Sequence, residues 1–437
     1  VSDLLIRGRL LSFLRRPDSV EDGEAVSYEE DGGLLIRNGR IVRRGPFAAV
    51  QAEAGAGAEI VDHRPHLVLP GFIDAHAHFP QMQVIASFGA ELLEWLNRYT
   101  FPEEMKFSDP AHGRRIASAF LDEMVRHGTT TAAVYCTVRP ESADAFFAEA
   151  EARGMAMIAG KVMMDRNAPD GLTDTPQSSH DETAALIARW HGRGRLSYAI
   201  TPRFAITSTP AQMEMVQALT AAHPDCHVQT HLSENHAEIA LTRELYPDAP
   251  DYFGVYEAYG MAGPKSLFGH SIHLSERELD AMADSGSVAV FCPTSNLFLG
   301  SGLMDWQRYN RRARPVRTAA ATDVGGGTNY SMLRTMDEGY KVIALNGEKI
   351  NPLASFWQIT RGNAEALSMA DRLGTLEEGS DADLVVLDAR ATPGMALRME
   401  TVTTLAEELF LLQTMGDDRA IAETWVAGRR AKSAISG

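Results

Sequence analysis

His76 and His78 stand two residues apart in "VLPGFIDAHAHFPQM", directly after an apolar run that reads as a buried strand. A strand alternates its side chains, so the two imidazoles point the same way while Ala77 points away. Such a pair is either a core hydrogen-bonding arrangement or half of a metal clamp, and further ligands decide between the two. They occur at the ends of other strand-like runs: His231 in "HVQTHLSE", His270 in "SLFGHSIH" and Asp323 in "RTAAATD". Taken singly, His270 reads as a core histidine and Asp323 as a cap for the helix beginning near Ser331. Their joint placement favours a metal centre. Cysteine-rich ligands at short spacing, the mark of a closed structural zinc site, are absent. Three histidines and a carboxylate suit zinc or iron with room for water. Glu234, three residues beyond His231, can swing over the same cavity as a proton-transfer group, its competing role being a cap for the helix after Asn235. Asp74, two before His76, is placed to orient ligands or backbone. A structural role for His273 is at least as well supported as a place in the cavity.

Eight strand-like runs carry these residues, at 67–78, 128–136, 154–164, 195–204, 227–234, 266–273, 287–295 and 317–323. Helical patterns lie between most of them, at 111–127, 141–153, 181–191, 210–222 and 275–284. The alternation predicts an α/β fold, a (β/α)8 TIM-like barrel whose active groups sit at the C-terminal strand ends. An open doubly wound sheet would want a glycine-rich first turn. "DVGGGTNYS" instead follows the last strand, with neither the dinucleotide spacing nor a phosphate-loop lysine. The first 65 residues and the segments 373–390 and 421–431 read as hairpins too small to bury a core alone. They predict a composite β-sandwich domain built from both chain ends, giving units 1–66 and 373–437 around a barrel of 67–372. Residues 82–107 form a long excursion bearing Phe88, Trp95, Tyr99 and Phe101, of a length that suits a lid over the pocket.

A formal charge of −17, from 41 basic and 58 acidic residues, disfavours a nucleic-acid partner. Arg311, Arg312 and Arg314 read as a solvated loop. Cys136, Cys226 and Cys292 are too few and too spread for a disulfide framework, which favours buried thiols in a reducing compartment. No leader pattern opens the sequence and no run of about 18 uncharged apolar residues occurs, so no membrane partner is expected and the cytoplasm is the expected location.

Over nearly its whole length the chain resembles the metal-dependent amidohydrolase superfamily. The motifs "PGFIDAHAHFPQ", "TPRFA", "HLSEN" and the "ATDVGGG" and "NYSM" segments flanking Thr328 resemble those of the guanine deaminases in particular. The resemblance implies that His76, His78, His231 and Asp323 hold one Zn2+ per subunit, with iron as the alternative. It makes Glu234 the proton shuttle, Asp323 the acceptor of the water proton and His270 the group that holds the attacking water or substrate. Gln81, Arg203 and Phe204 become the guanine-recognition set. The partner implied is a free purine base, the products xanthine and ammonia, the assembly a homodimer, and no organic cofactor is needed. A two-metal relative would usually carry a carboxylated lysine at the end of strand four. That strand ends here in Arg203, while Lys161 in the preceding strand keeps a binuclear centre open. The competing readings are a deaminase of 8-oxoguanine, cytosine or a triazine, and a catalytically silent relative.

Overall fold

The computed structural model describes residues 3–55, 57–88 and 92–432. Parts of three expected segments, namely 1–2, 56 and 433–437 of the terminal units and 89–91 of the excursion, lie outside the described residues. Four strands open the chain: β1 (Leu4–Phe13), β2 (Val26–Arg37), β3 (Arg40–Pro46) and β4 (Glu59–Pro70). Nine follow in the middle: β5 (Phe72–His78), β6 (Thr129–Tyr135), β7 (Ala156–Gly160), β8 (Val162–Met163), β9 (Ser197–Pro202), β10 (His227–Leu232), β11 (Ser266–His270), β12 (Val288–Phe291) and β13 (Arg317–Ala320). Three close the chain: β14 (Leu384–Leu387), β15 (Ile421–Val426) and β16 (Arg429–Lys432).

The middle set forms the expected barrel, ordered β13-β12-β11-β10-β9-β7-β6-β5 and parallel throughout, with β8 paired to β9. Its strands are buried on both faces, between the barrel interior and a layer of helices. This is why their sequences are unbroken apolar runs rather than alternating ones. Each helix begins where its chemistry dictates. Pro110–Arg126, Pro176–Trp190 and Pro210–Ala222 start on a proline that needs no hydrogen-bond partner, behind Asp109, Thr175 and Thr209, whose side chains accept a first-turn N–H. Pro140–Arg153 and Glu276–Ser285 end on Gly154 and Gly286 in the left-handed conformation.

Several expected strands are shorter than their apolar runs. The 67–78 run divides at Gly71, so that residues 67–70 belong to β4 and the barrel strand starts at Phe72. A Cβ at Gly71 would lie 2.2 Å from the Thr130 hydroxyl, so the chain can pass from one sheet to the other at this point only without a side chain. The 287–295 run stops at Phe291, because Pro293 opens the short helix Pro293–Phe298.

The two chain ends share one sheet, ordered β16-β15-β14-β4-β1-β2-β3. β4 lies at its middle, parallel to β1 and antiparallel to β14, with Val68 opposite Val386 and Leu69 opposite Val385. One face of the sheet buries Ile6, Leu10, Val68, Leu384, Val386 and Trp425 together. Leu11, Phe13, Leu67, Leu69 and Val385 join the main core of the barrel. All three cysteines are buried and unpaired. Among the described residues no helix is long and apolar enough to cross a membrane.

Between β5 and β13, at the seam of the barrel, buried side chains take the place of a regular ladder. Asn363 donates to the carbonyls of Ile73 (2.6 Å) and Ala320 (2.8 Å) and accepts from the Ala320 N–H (2.9 Å). One turn higher, the Asp74 carboxylate accepts from Thr322 N (3.1 Å), Thr322 Oγ1 (2.5 Å) and His76 N (3.2 Å). At the top the backbones meet: Asp323 N–H donates to the His76 carbonyl at 2.9 Å, and His78 N–H to that of Val324.

His227, at the start of β10, gives the fold a pH dependence. Its Nε2 donates to the Leu367 carbonyl at 2.8 Å, while Nδ1 is buried with no partner. Burial lowers its pKa from 6.5 to about 4. The unfolded chain therefore takes up a proton near pH 6.5 that the folded one refuses until near pH 4, so stability is lost as pH falls through that window. The contribution is on the order of 3 kcal/mol for such a shift. Denaturant titrations across pH 4–7 are expected to give a shallower acid loss for His227→Gln than for the unsubstituted protein. Parallel profiles would remove this residue from the account.

Candidate active site

The strand ends gather nearly every residue singled out in the sequence. His78, Gln81, Arg203, Phe204, His231, Glu234, His270 and Asp323 line one cavity, with His76 directly beside it. His76 Nε2 lies 3.1 Å from His78 Nε2, which lies 3.2 Å from His231 Nε2. Asp323 Oδ1 is 3.3 Å from His76 Nε2 and 3.4 Å from His78 Nε2. Four donors bound about 2.0–2.1 Å from one ion stand roughly 3.3–3.4 Å apart at tetrahedral angles. The donor set therefore fits a single divalent cation.

The protonation of these groups agrees. Burial lowers the pKa of His76 and drives those of His78 and His231 well below the usual imidazole value, so all three rings are neutral and offer lone pairs. Burial alone would raise the Asp323 carboxyl, but the contact with His76 and the charge of His270 outweigh it and hold the group ionised. The tautomer of His231 is set by its Nδ1, which donates to the Arg203 carbonyl at 2.7 Å and leaves Nε2 free for the cluster. His76 lies over Gly269, where a Cβ would come within 2.7 Å of the ring. Tyr135, which strand periodicity does not distinguish from its apolar neighbours, packs its ring 4.5–4.9 Å from the three imidazoles.

Glu234 and His270 form the second layer of the cavity. Glu234 Oε2 lies 3.2 Å from His270 Nε2, and Oε1 accepts from Ser301 at 3.0 Å. His270 Nδ1 is 2.9 Å from Asn296 Oδ1, so it carries the proton and turns Nε2 toward Glu234 and Asp323 Oδ2, the latter at 3.7 Å. Burial raises the Glu234 pKa to about 7, Glu238 and Asp323 adding to the shift and His270 opposing it. The pKa of His270 is raised although burial would lower it, because Glu234 and Asp323 stabilise its cationic form. Neither acid serves as a helix cap: Asn235 with Glu238 caps the helix after Glu234, and Ser331 caps Met332–Leu345. Ser233, His270, Ser271 and Asp323 all adopt positive φ, between 48° and 66°. Strain of this kind in residues with side chains concentrates at functional sites.

Opposite chemistry is available from Gln81 and Arg203. Both are bonded to Glu104, a buried acid of the excursion that sequence reasoning passed over. Its signal was a charged "EE" pair inside an aromatic stretch. Phe101 lies under the Arg203 guanidinium at 5.5 Å, and Leu92, Trp95 and Leu96 line the cavity, so this excursion covers it as expected. Tyr99 and Phe88 do not line it; Phe88 is 88% exposed. His273 is held outside by the Ser301 carbonyl at 2.8 Å. Lys161 also stands apart, its Nζ bound by Asp174 (2.5 Å) and Glu182 (3.2 Å). The Arg311, Arg312 and Arg314 run pairs with surface acids.

Residues 67–431 match the amidohydrolase family. The chain belongs to that family. Its relatives within the amidohydrolases include guanine deaminase of Escherichia coli, 43% identical over 97% of this chain and 96% of the relative. The solved E. coli guanine deaminase superposes with a TM-score of 0.96 over 98% of this chain and 99% of that one. Guanine deaminase from C. acetobutylicum, solved with guanine bound in its active site, is 26% identical with a TM-score of 0.88, over 98% of this chain and 100% of that one. Amidohydrolases are metal-dependent, in keeping with the donor set. A further trio, His191, Asp225 and Cys226, is less suited to a metal. Tyr198 N–H donates to His191 Nδ1, which leaves the ring proton on Nε2 facing Asp225 at 3.1 Å. Elemental analysis is expected to find about one divalent ion per chain, and His231→Ala to lose most of it. An active protein without stoichiometric metal would overturn this assignment.

Proposed function

We propose that this chain hydrolyses guanine to xanthine and ammonia in the cavity of the barrel, residues 67–372, with the composite β unit of 1–66 and 373–437 as its support. The observation that carries the reading is that one cavity holds both a neutral-histidine and carboxylate cluster and the donor edge of Arg203. His76, His78, His231 and Asp323 would hold one Zn2+, which supplies a Lewis acid that makes water a nucleophile near neutral pH.

The side chains then manage protons. Asp323 Oδ2, turned toward His270, accepts a proton from the water that attacks C2 of the base. Glu234, with a pKa raised to about 7, is poised both to give and to take a proton at neutral pH. It protonates N3, then carries the proton of the new C2 hydroxyl to the exocyclic amine. The C2–N bond breaks, ammonia leaves, a carbonyl remains at C2, and the proton held by Asp323 passes back to return Glu234 to its acid form. His270, its Nδ1 proton fixed by Asn296, steadies negative charge developing on the attacking oxygen. Ser301 fixes the Glu234 carboxylate by its other oxygen.

Arg203 and Gln81 would hold the far edge of the base, with Phe204 as an aromatic wall. A guanidinium has only donors, so it favours the O6 of guanine and meets the C6 amine of adenine donor to donor. The same pose puts the guanine amine, and no amine of adenine, at the reacting carbon. A homodimer in the cytoplasm completes the proposal.

Two measurements test it. Glu234→Gln keeps size and hydrogen bonding, and is expected to keep its metal while kcat falls about 10²- to 10⁴-fold; an unchanged kcat would make Glu234 structural. In a kinetic panel of guanine, 8-oxoguanine, adenine and cytosine, guanine is expected to be preferred. Arg203→Ala should lower kcat/KM on guanine by about 1–3 kcal/mol with metal content unchanged. A wild type that prefers cytosine, adenine or 8-oxoguanine would refute the substrate assignment.

A further inference from the structure

Among the described residues, Glu104 is the one acidic side chain that hydrogen-bonds both residues proposed to read the purine edge. It ends the short helix Phe101–Glu104 in the excursion after β5 and is almost wholly buried. Its Oε1 accepts from Gln81 Nε2 at 3.1 Å, and its two oxygens accept from Arg203 Nη1 at 3.0 and 2.8 Å. Gln81 belongs to the turn that follows β5 and Arg203 immediately follows β9, so one carboxylate ties together two walls of the cavity.

The consequence lies in hydrogen-bond polarity. An amide can present either its oxygen or its nitrogen to a ligand, and its neighbours decide which. A carboxylate offers only acceptors, so Glu104 draws the Nε2 of Gln81 to itself. At the other end of the amide, Gly325 N–H donates to Oε1 at 3.3 Å. Both contacts select the same orientation, with the Gln81 oxygen on the side away from Glu104. Arg203 spends Nη1 on Glu104, and its cationic plane is held between that carboxylate and the Phe101 ring. Both residues line the cavity, so an oriented amide and a held guanidinium stand side by side in its wall.

We infer that Glu104 is a positioning residue that sets the donor and acceptor pattern of the recognition edge, and thereby selects purines carrying a C6 carbonyl beside a protonated N1. A cyclic N1–H and C6=O pair is the complement of a Gln81 oxygen beside an Arg203 N–H. Purines with a hydrogen or an amine at C6, and an unprotonated N1, mismatch both. The inference rests on the assignment of Gln81 and Arg203 to substrate recognition, and extends it to a residue that does not itself touch the base.

The test separates recognition from chemistry by using ligands without an amine at C2. Hypoxanthine has the N1–H and C6=O pair, and unsubstituted purine lacks it. Calorimetric titration of the metal-loaded protein gives a Kd for each, and their ratio reads the edge alone. The wild type is expected to bind hypoxanthine more tightly. In Glu104→Gln, whose side-chain amide can donate as well as accept, that preference is expected to fall by about 10- to 100-fold at unchanged metal content, the effect of freeing two directed hydrogen bonds. Since Glu104→Gln also leaves the buried Arg203 charge unpaired, Glu104→Asp provides a variant that keeps the charge and withdraws it by one methylene. Its preference is expected to fall about 3- to 10-fold. Equal weakening of both ligands, or a ratio within twofold of wild type in both variants, would make Glu104 a structural ion-pair partner only and overturn the inference while the proposed function stands. A wild type that does not prefer hypoxanthine would instead refute the assignment of Gln81 and Arg203, and this inference with it.

Discussion

Everything at the active end of this molecule depends on how the barrel is sewn shut between β5 and β13. Elsewhere in the ring, adjacent strands share backbone ladders; here the Asn363 amide and the Asp74 carboxylate do much of the joining. Asp74 is fully buried, and burial raises its pKa to about 7 against the pull of three hydrogen bonds that favour the ionised form. A buried carboxylate is costly unless its oxygens are satisfied, and the seam supplies the donors from Thr322 and His76. The return is geometric. His76 and His78 come from the first barrel strand and Asp323 from just beyond the last, some 250 residues apart in sequence. They face one another because the seam closes directly beneath them.

Closure is completed by backbone conformations that most residues avoid. Four residues around the cavity, Ser233, His270, Ser271 and Asp323, hold positive φ. Each costs on the order of 1–3 kcal/mol, so the surrounding packing has to over-determine them. It does so through backbone bonds across neighbouring strand ends: Ser271 N–H to the Leu232 carbonyl (2.8 Å) and Asp323 N–H to that of His76 (2.9 Å). Large apolar cores of barrel, helices and shared sheet stand behind these bonds. The composite sheet bears on the site in the same way, since β4 runs directly into β5 through Gly71 and so anchors the strand that carries both histidines.

Much of this was legible in the sequence because it follows from local periodicity. The two-residue spacing of His76 and His78 requires only that the segment be a strand, and eight apolar runs alternating with helical ones require only that buried strands look apolar. What periodicity does not encode is where a run stops. The divide at Gly71 depends on the approach of Thr130, and the early end of β12 on a proline whose helix the apolar pattern hides. Residues that act across elements were similarly hidden. Tyr135 ends an ordinary apolar strand, Ser301 follows a turn, and Glu104 lies in a helical segment whose relation to Arg203, 99 residues away, exists only after folding. Lys161 is the converse case: its position in sequence left a binuclear centre open, whereas the fold turns it toward Asp174 and Glu182.

Arg203 links the two halves of the cavity in a way that neither half reveals alone. Its carbonyl accepts from His231 N (3.1 Å), His231 Nδ1 (2.7 Å) and Thr230 Oγ1 (3.2 Å), so its backbone sets the ring orientation of one proposed metal ligand. Its side chain, pointing the other way, pairs with Glu104 of the excursion after β5. The distance between the metal cluster and the edge that would read the base is thus spanned by a single residue rather than by a chain of loosely coupled contacts. A base held by the guanidinium would have its reacting carbon placed relative to His231 through covalent geometry and one charge-assisted edge, the kind of fixed separation on which near-attack positioning depends. Because the orienting group is a carbonyl, side-chain substitution at this position acts on one half of the site and leaves the other its partner.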